Sequence, residues 1–203
     1  RVSLSFKPTP DHNIYGGFSQ GFKGGGFDPR GVGVNAPTSN PSGIPSDGEI
    51  ADYLSFDPET VNSYEIGYKG NLIGGDLYVA LAAFHMDYSD VQIPGSAGCT
   101  VDGIPTFCGV ITNAGKAKID GIELETNATL ARDFLGMGDR LTFAGSLGWI
   151  DARYTEYEGL IAGVPTDVSD YRKIQNTPEW TGSGTLGYET PVGDGDRRDG
   201  PAD

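Results

Sequence analysis

The 203-residue sequence predicts an all-β fold, an antiparallel up-and-down meander forming part of the wall of a large transmembrane β-barrel. Three observations lead there. Apolar and polar residues alternate over segments near 1–7, 12–23, 60–72, 76–92, 113–131, 140–154 and 179–190, the period of two that marks a strand with unlike faces. The connectors alternate between short (8–11, 73–75, 132–139) and long (24–59, 93–112, 155–178). Long loops gathered at one end of a meander are the arrangement of outer-membrane barrels, whose other end carries tight turns. The segments are also longer than the roughly 5–6 residues usual in globular sheets.

Composition agrees. Gly 32 and Pro 13 supply turns, Tyr 10 and Phe 9 supply aromatic strand residues, and the apolar share is only 37%. No run of about 18 apolar residues offers a membrane helix, which leaves a barrel open because barrel strands carry a weaker signal. A formal charge of −14 argues against nucleic acid, whose binding needs a clustered basic surface. The opening Arg1-Val2-Ser3 already reads as strand, so no signal peptide stands at the start.

In chain order, Ile14, Phe18 and Phe22 mark one face of the second segment, against glycine and serine on the other. Segment 60–72 sets Tyr64, Ile66, Tyr68 and Leu72 against Ser63, Glu65, Gly67, Lys69 and Asn71. Segment 76–92 is read with Tyr78, Ala80, Ala82, Phe84, Met86 and Tyr88 toward lipid, Tyr78 and Tyr88 standing about 23 Å apart along the membrane normal as two aromatic girdles. That places His85 and Asp87 on the lumen side. Segment 113–131 sets Ile122, Leu124, Ala128 and Leu130 against Glu123, Glu125 and Asn127; Leu141, Phe143, Leu147 and Trp149, then Trp180, Leu186 and Tyr188, continue the apolar face.

Six stretches together resemble the barrel of TonB-dependent outer-membrane receptors. "YGGFSQGFKGGGFDPRG" looks like the family's aromatic-Ser-x-Gly-Phe-Lys-x-Gly-Gly-Phe segment, and "FDPETVNSYEIGYKGNL" is similar to its Pro-Glu-x-x-x-x-Tyr-Glu-x-Gly-x-Lys strand. "AAFHMDYSDVQI", "NAGKAKIDGIELE", "SLGWIDARYTEY" and "NTPEWTGSGTLGYETPV" follow in the family's order. The match covers about 1–192. The resemblance implies a 22-stranded barrel of which about seven strands are present, closed by an N-terminal plug domain absent from this stretch. It further implies remaining barrel strands, a TonB-type energising protein recruited through an N-terminal segment, and a small-molecule ligand such as a ferric siderophore. Outer-membrane lipid and lipopolysaccharide would surround the wall. Residues 193–203, "GDGDRRDGPAD", read as a turn followed by non-strand chain.

No enzyme is expected, since no nucleophile–base arrangement appears, and no cofactor or metal site is expected; iron enters only as cargo of the ligand. "GGGFDPRGVG" lacks the Gly-Lys-Ser/Thr ending of a phosphate loop. Asn127-Ala128-Thr129 matches a glycosylation acceptor in mid-strand, where it is a chance match. The spacing in "DGDRRD" lacks the later Glu of a calcium loop. Cys99 and Cys108, alone in one long loop, read as a disulfide. Candidate lumen groups are Glu65, Lys69, His85, Asp87, Glu123 and Glu125, with the glutamates pairing to plug residues or to neighbours such as Lys69. Candidate ligand contacts are Phe22, Lys23, Phe27, Arg30, Tyr53, Phe107 and Tyr157.

The long connectors 24–58, 93–112 and 156–178 hold ten acidic residues against three basic ones, Arg30, Arg172 and Lys173. Averaged over the mouth, that charge suits a neutral or cationic, partly apolar ligand, or divalent cations bridging lipopolysaccharide. Two rival readings stand beside the uptake receptor. One is a passive porin-like or adhesin-like barrel without energy coupling, and the other a soluble β-sandwich with the apolar face as its core.

Overall fold

The computed structural model describes residues 1–113, 115–161 and 164–191; the tail 193–203 lies outside them. The wall begins with β1 (Val2–Thr9) and β2 (His12–Lys23), joined by a tight turn at Pro10-Asp11. The long connector after β2 carries β3 (Gly26–Phe27), the helix α1 (Asp47–Leu54) and β4 (Ser55–Phe56), with β3 pairing β4. β5 (Glu59–Leu72) and β6 (Leu77–Ser89) return through a turn in which Ile73, Gly74 and Gly75 all take positive φ.

The next long connector is a hairpin of its own, β7 (Gln92–Val101) and β8 (Ile104–Asn113). Asp102 and Gly103 turn it with φ of 49° and 79°, the two left-handed residues that a two-residue hairpin demands. β9 (Gly115–Arg132) and β10 (Arg140–Ile161) follow. The lower part of β10 pairs β12 (Trp180–Glu189), and its upper end pairs the short β11 (Val164–Asp167). Among the described residues, seven antiparallel strands form the wall in the spatial order β1-β2-β5-β6-β9-β10-β12.

This sheet has no core. Among the described residues the buried apolar side chains are Ala36, Cys99, Cys108, Ala117 and Val168, most of them in or beneath the loops. Leu4, Ile66 and Leu186 are 79%, 62% and 66% exposed. A soluble sandwich would cover such a face with a second sheet, so the sandwich reading is overturned.

Register assigns the faces, because residues opposed across an antiparallel ladder share a side. Leu4, Gly16, Ile66, Ala83, Ile122, Trp149 and Trp180 form one continuous row, and Phe6, Ile14, Tyr68, Leu81, Leu124, Leu147 and Gly182 the row below. The other face carries the row Asn13, Lys69, Ala80, Glu125, Ser146 and Ser183. Along β5 the apolar band from Leu72 to Tyr64 rises roughly 19 Å at about 3.3 Å per residue and a 45° tilt.

One expected face is reversed. In β6 the apolar face holds Leu77, Val79, Leu81 and Ala83, while Tyr78, Ala80, Ala82, Phe84, Met86 and Tyr88 share the side of Glu65, Lys69, Glu123 and Glu125. Tyr78 and Tyr88 are therefore not membrane girdles, and Phe84 belongs to the polar face. His85 and Asp87 lie on the apolar side, in the rows just beyond Ala83. Apolar residues occur at both parities of this strand, so alternation alone does not choose. The choice comes from the neighbours: a Cβ at Gly121 would fall inside the Phe84 ring, and one at Gly67 inside the Tyr15 ring. Each glycine is a seat for an aromatic side chain from the next strand, which explains glycines in long strands where they otherwise weaken pairing.

Candidate functional site

The polar face gathers Tyr15, Glu65, Lys69, Phe84, Glu123 and Glu125 around one shallow hollow. Lys69 and Glu125 flank Ala80 in one row, but among the described residues no ion pair joins them. The Lys69 ammonium instead stands 5.5 Å from the Tyr15 ring centroid, a cation–π contact.

On the opposite face, above the apolar band, His85 sits between two carboxylates. Its Nδ1 is 2.6 Å from Asp120 and its Nε2 3.0 Å from Asp87, an arrangement that a doubly protonated ring satisfies. Arg153 binds Asp120 and Asp151, and Lys118 binds Asp87. The charges balance within the cluster, which closes the outer rim of the apolar face.

The long connectors 24–58 and 90–113 are joined through three amide side chains. Gln92 Nε2 donates to the carbonyls of Gly24 and Asp57 at 2.9 and 3.0 Å, while its backbone N–H donates to Glu59 at 2.9 Å. Asn113 donates to the Asp57 and Asp90 carbonyls and accepts from the Asp57 N–H at 2.7 Å. Asn35 exchanges two bonds with the backbone of Thr100. The disulfide Cys99–Cys108, with Cα atoms 5.8 Å apart, ties the hairpin across its own strands. Helix α1 starts on a capping box: Ser46 receives the Glu49 N–H while Glu49 accepts from Ser46, Ser39 and Thr38. Those donors, the Ser46 backbone first, hold the Glu49 carboxyl at about 2.

The loops scatter most of the candidate contacts. Phe22, Phe27 and Phe107 are well exposed, at the rim of β2, in β3 and in β8 respectively, while Tyr53 is half-buried on α1. Lys23 lies opposite Glu59. Arg30 is taken up by the buried Asp28 in a bidentate pair, at 3.0 and 2.9 Å, and that contact holds the Asp28 carboxyl below its ordinary range.

Tyr157 has company that the sequence did not announce. The register slips by one residue between Tyr154 and Glu156, a β-bulge that re-aims the following side chain. Tyr154 then faces Ala117 and Tyr157 faces Gly115, on one side of the sheet. Their rings meet edge to face with centroids 5.0 Å apart. Opposite them the chain doubles back: Val168 N–H donates to the Tyr157 carbonyl at 2.8 Å, and Asp167 accepts the Tyr157 and Ser169 N–H groups at 3.0 Å each. That turn lays the Arg172 guanidinium over the Tyr157 ring, 5.4 Å from its centroid. Gln92, Ile93, Pro94, Lys173 and Gln175 complete the cleft.

Other missed elements had legible signals. The Ser46-x-x-Glu49 box announced α1, and Asp102-Gly103 between Val101 and Ile104 announced the β7–β8 hairpin.

Comparison with known proteins places this architecture. The family model described as "TonB dependent receptor-like, beta-barrel" matches residues 1–199. The chain belongs to that family. It is 27% identical over 184 residues to the metal-pseudopaline receptor CntO of Pseudomonas aeruginosa, covering 90% of this chain and 20% of that receptor. It is 24% identical over 182 residues to the probable TonB-dependent siderophore receptor PiuA of Acinetobacter baumannii, covering 88% and 21% respectively. The crystal structure of the ferric yersiniabactin uptake receptor FyuA from Yersinia pestis superposes with a TM-score of 0.54 at 21% identity, over 91% of this chain and 22% of that one. The chain thus spans about a fifth of the length of the curated relatives it matches. It is a section of an outer-membrane β-barrel.

Proposed function

We propose that this chain forms part of the barrel wall and outer loop surface of an energy-coupled receptor that takes up a scarce small ligand, such as a metal-loaded siderophore, across the outer membrane. The apolar face from Leu72 to Tyr64 meets lipid, with Trp149 and Trp180 at its outer edge and lipopolysaccharide above it. The face of Glu65, Lys69, Glu123 and Glu125 lines the lumen, where a plug domain and the remaining strands complete the pore. A TonB-type protein in the periplasm supplies the work of opening.

One observation carries this reading: a single-layer sheet, apolar on one side and polar on the other, whose long loops are built into an ordered body rather than left as tethers. A porin-like wall has no need of so many loop-to-loop bonds, whereas a receptor does, because preorganised loops lose less entropy when they bind. The relatives' names, receptors for metal-pseudopaline and for siderophores, point the same way.

The test is accumulation of iron-loaded siderophore by cells expressing the full-length receptor. Loss of the energising protein should reduce accumulation to the level of cells without the receptor. Unchanged accumulation would favour the passive barrel.

A further inference from the structure

We infer that the cleft between the top of β10 and the β7 strand is a binding subsite for a flat ring carrying a single negative charge, such as an aryl carboxylate. The averaged charge of the loops argued for a neutral or cationic ligand; placement overrides the average. Of the three basic residues in the long connectors, Arg30 is spent on Asp28. The other two, Arg172 and Lys173, both line this cleft, and among the described residues neither is ion-paired. Three of the neighbouring acids face elsewhere or are already bonded. Glu156 pairs Lys116 at 2.6 Å on the opposite side of the sheet from Tyr157, Asp167 is held by backbone N–H groups, and Glu59 accepts from Gln92.

The walls suit a ring. Tyr154 and Tyr157 offer an aromatic corner and Ile93 and Pro94 an apolar flank, while Gly115 admits the close approach of the bulged strand, since a Cβ there would stand 2.7 Å from the Glu156 carbonyl. Burial, with the charges of Tyr157 and Glu59, pushes the Tyr154 phenol up, so it stays a neutral hydrogen-bond donor. A ring packed on these tyrosines would place its anionic group between a guanidinium and an ammonium, each a charge-assisted donor. A polyanion is disfavoured by the ten acids around the mouth, so the selectivity is for one charge and a flat body.

This subsite rests on the uptake reading only in that the ligand arrives from the loop side. The experiment is equilibrium binding of salicylate and of its uncharged counterpart salicylamide to the purified full-length receptor, without any energising protein. Salicylate should bind about tenfold tighter or more, the scale of one charge-assisted contact. The Arg172→Gln, Lys173→Gln double variant should remove that preference while still binding salicylamide, and Tyr154→Leu should weaken both probes. Heat-modifiable migration on a denaturing gel checks that each variant's barrel is folded, and Lys173→Gln alone serves if the double variant is not. Equal binding of the two probes, no binding of salicylate, retention of the preference in a folded charge variant, or tighter binding of citrate than salicylate would overturn the proposal. Failed uptake with this preference intact would overturn the energy-coupled reading alone.

Discussion

Tyr64 and His85 stand directly opposite each other across the β5–β6 ladder, with ring centroids 6.2 Å apart. This pairing fixes which side of β6 faces outward. It also marks a level, for the rows just below the pair are apolar, its own row runs on to Asp120 and Asp151, and the row above carries Asp87, Lys118 and Arg153. Two neighbouring positions on one strand should therefore respond oppositely to charge.

Leu124→Arg puts a guanidinium into the apolar band and should cost about 2–4 kcal/mol in the full-length barrel, the range for Arg near a bilayer midplane. Glu125→Arg, one residue on and facing the other way, should cost far less. Urea unfolding of the receptor refolded into bilayers measures both, and equal costs would contradict the face assignment.

The seven-strand meander, the side of connection and most of the faces were legible because each follows from local alternation and loop length. The β6 face was not, since Leu81 and Ala82, Ala83 and Phe84 offer apolar groups on both parities. What decides it is Gly121 on β9 and Gly67 on β5, residues whose meaning appears only once register is known. Tyr154 was hidden for a related reason: a bulge changes parity, and no single-strand pattern reveals one. The amides Gln92, Asn113 and Asn35 bridge connectors more than 30 residues apart, and nothing local distinguishes them from ordinary loop residues.

Gly121→Val should force the Phe84 ring from its seat, at a cost of about 1–3 kcal/mol, the scale of an overpacked site. Adding Phe84→Ala to that variant should recover part of the loss. The same unfolding measurement checks it, and strict additivity of the two changes would show that the ring and the glycine do not meet.

Asp139 organises the turn between β9 and β10 and is only 2% exposed. It accepts from the N–H groups of Phe134, Leu135 and Gly136 at 2.6, 2.7 and 2.9 Å and from the Tyr188 hydroxyl at 2.8 Å. Burial pushes its carboxyl up, but these donors, Leu135 and Tyr188 foremost, hold it below the ordinary 3.8. A depressed acid contributes stability above its ordinary value and loses it as pH falls through the folded value. Asp139→Asn should therefore lower the unfolding midpoint at pH 7 and flatten its dependence on pH in the acid range. A variant that keeps the wild-type acid dependence would assign that dependence to other groups.

Cys99→Ser with Cys108→Ser should loosen the β7–β8 hairpin while sparing the wall, because the bridge closes a loop of sequence separation 9 that lies outside the seven-strand sheet. The local loss is about 2–3 kcal/mol by chain entropy. Faster proteolysis between residues 95 and 112, with unchanged heat-modifiable migration, is the expected outcome; loss of the folded barrel band would place the bridge in the wall's own stability.

The central claim, that the apolar face of this sheet is the lipid face of a barrel wall, is tested most directly by nitroxide accessibility along β6. Single cysteines introduced at residues 79–84 of the full-length receptor are spin-labelled in bilayers, the native cysteines being held in their disulfide. Labels at Val79, Leu81 and Ala83 should collide preferentially with oxygen dissolved in lipid, and those at Ala80, Ala82 and Phe84 should be shielded from it or meet the water-soluble relaxation agent. The opposite phase, or no alternation, would contradict the account.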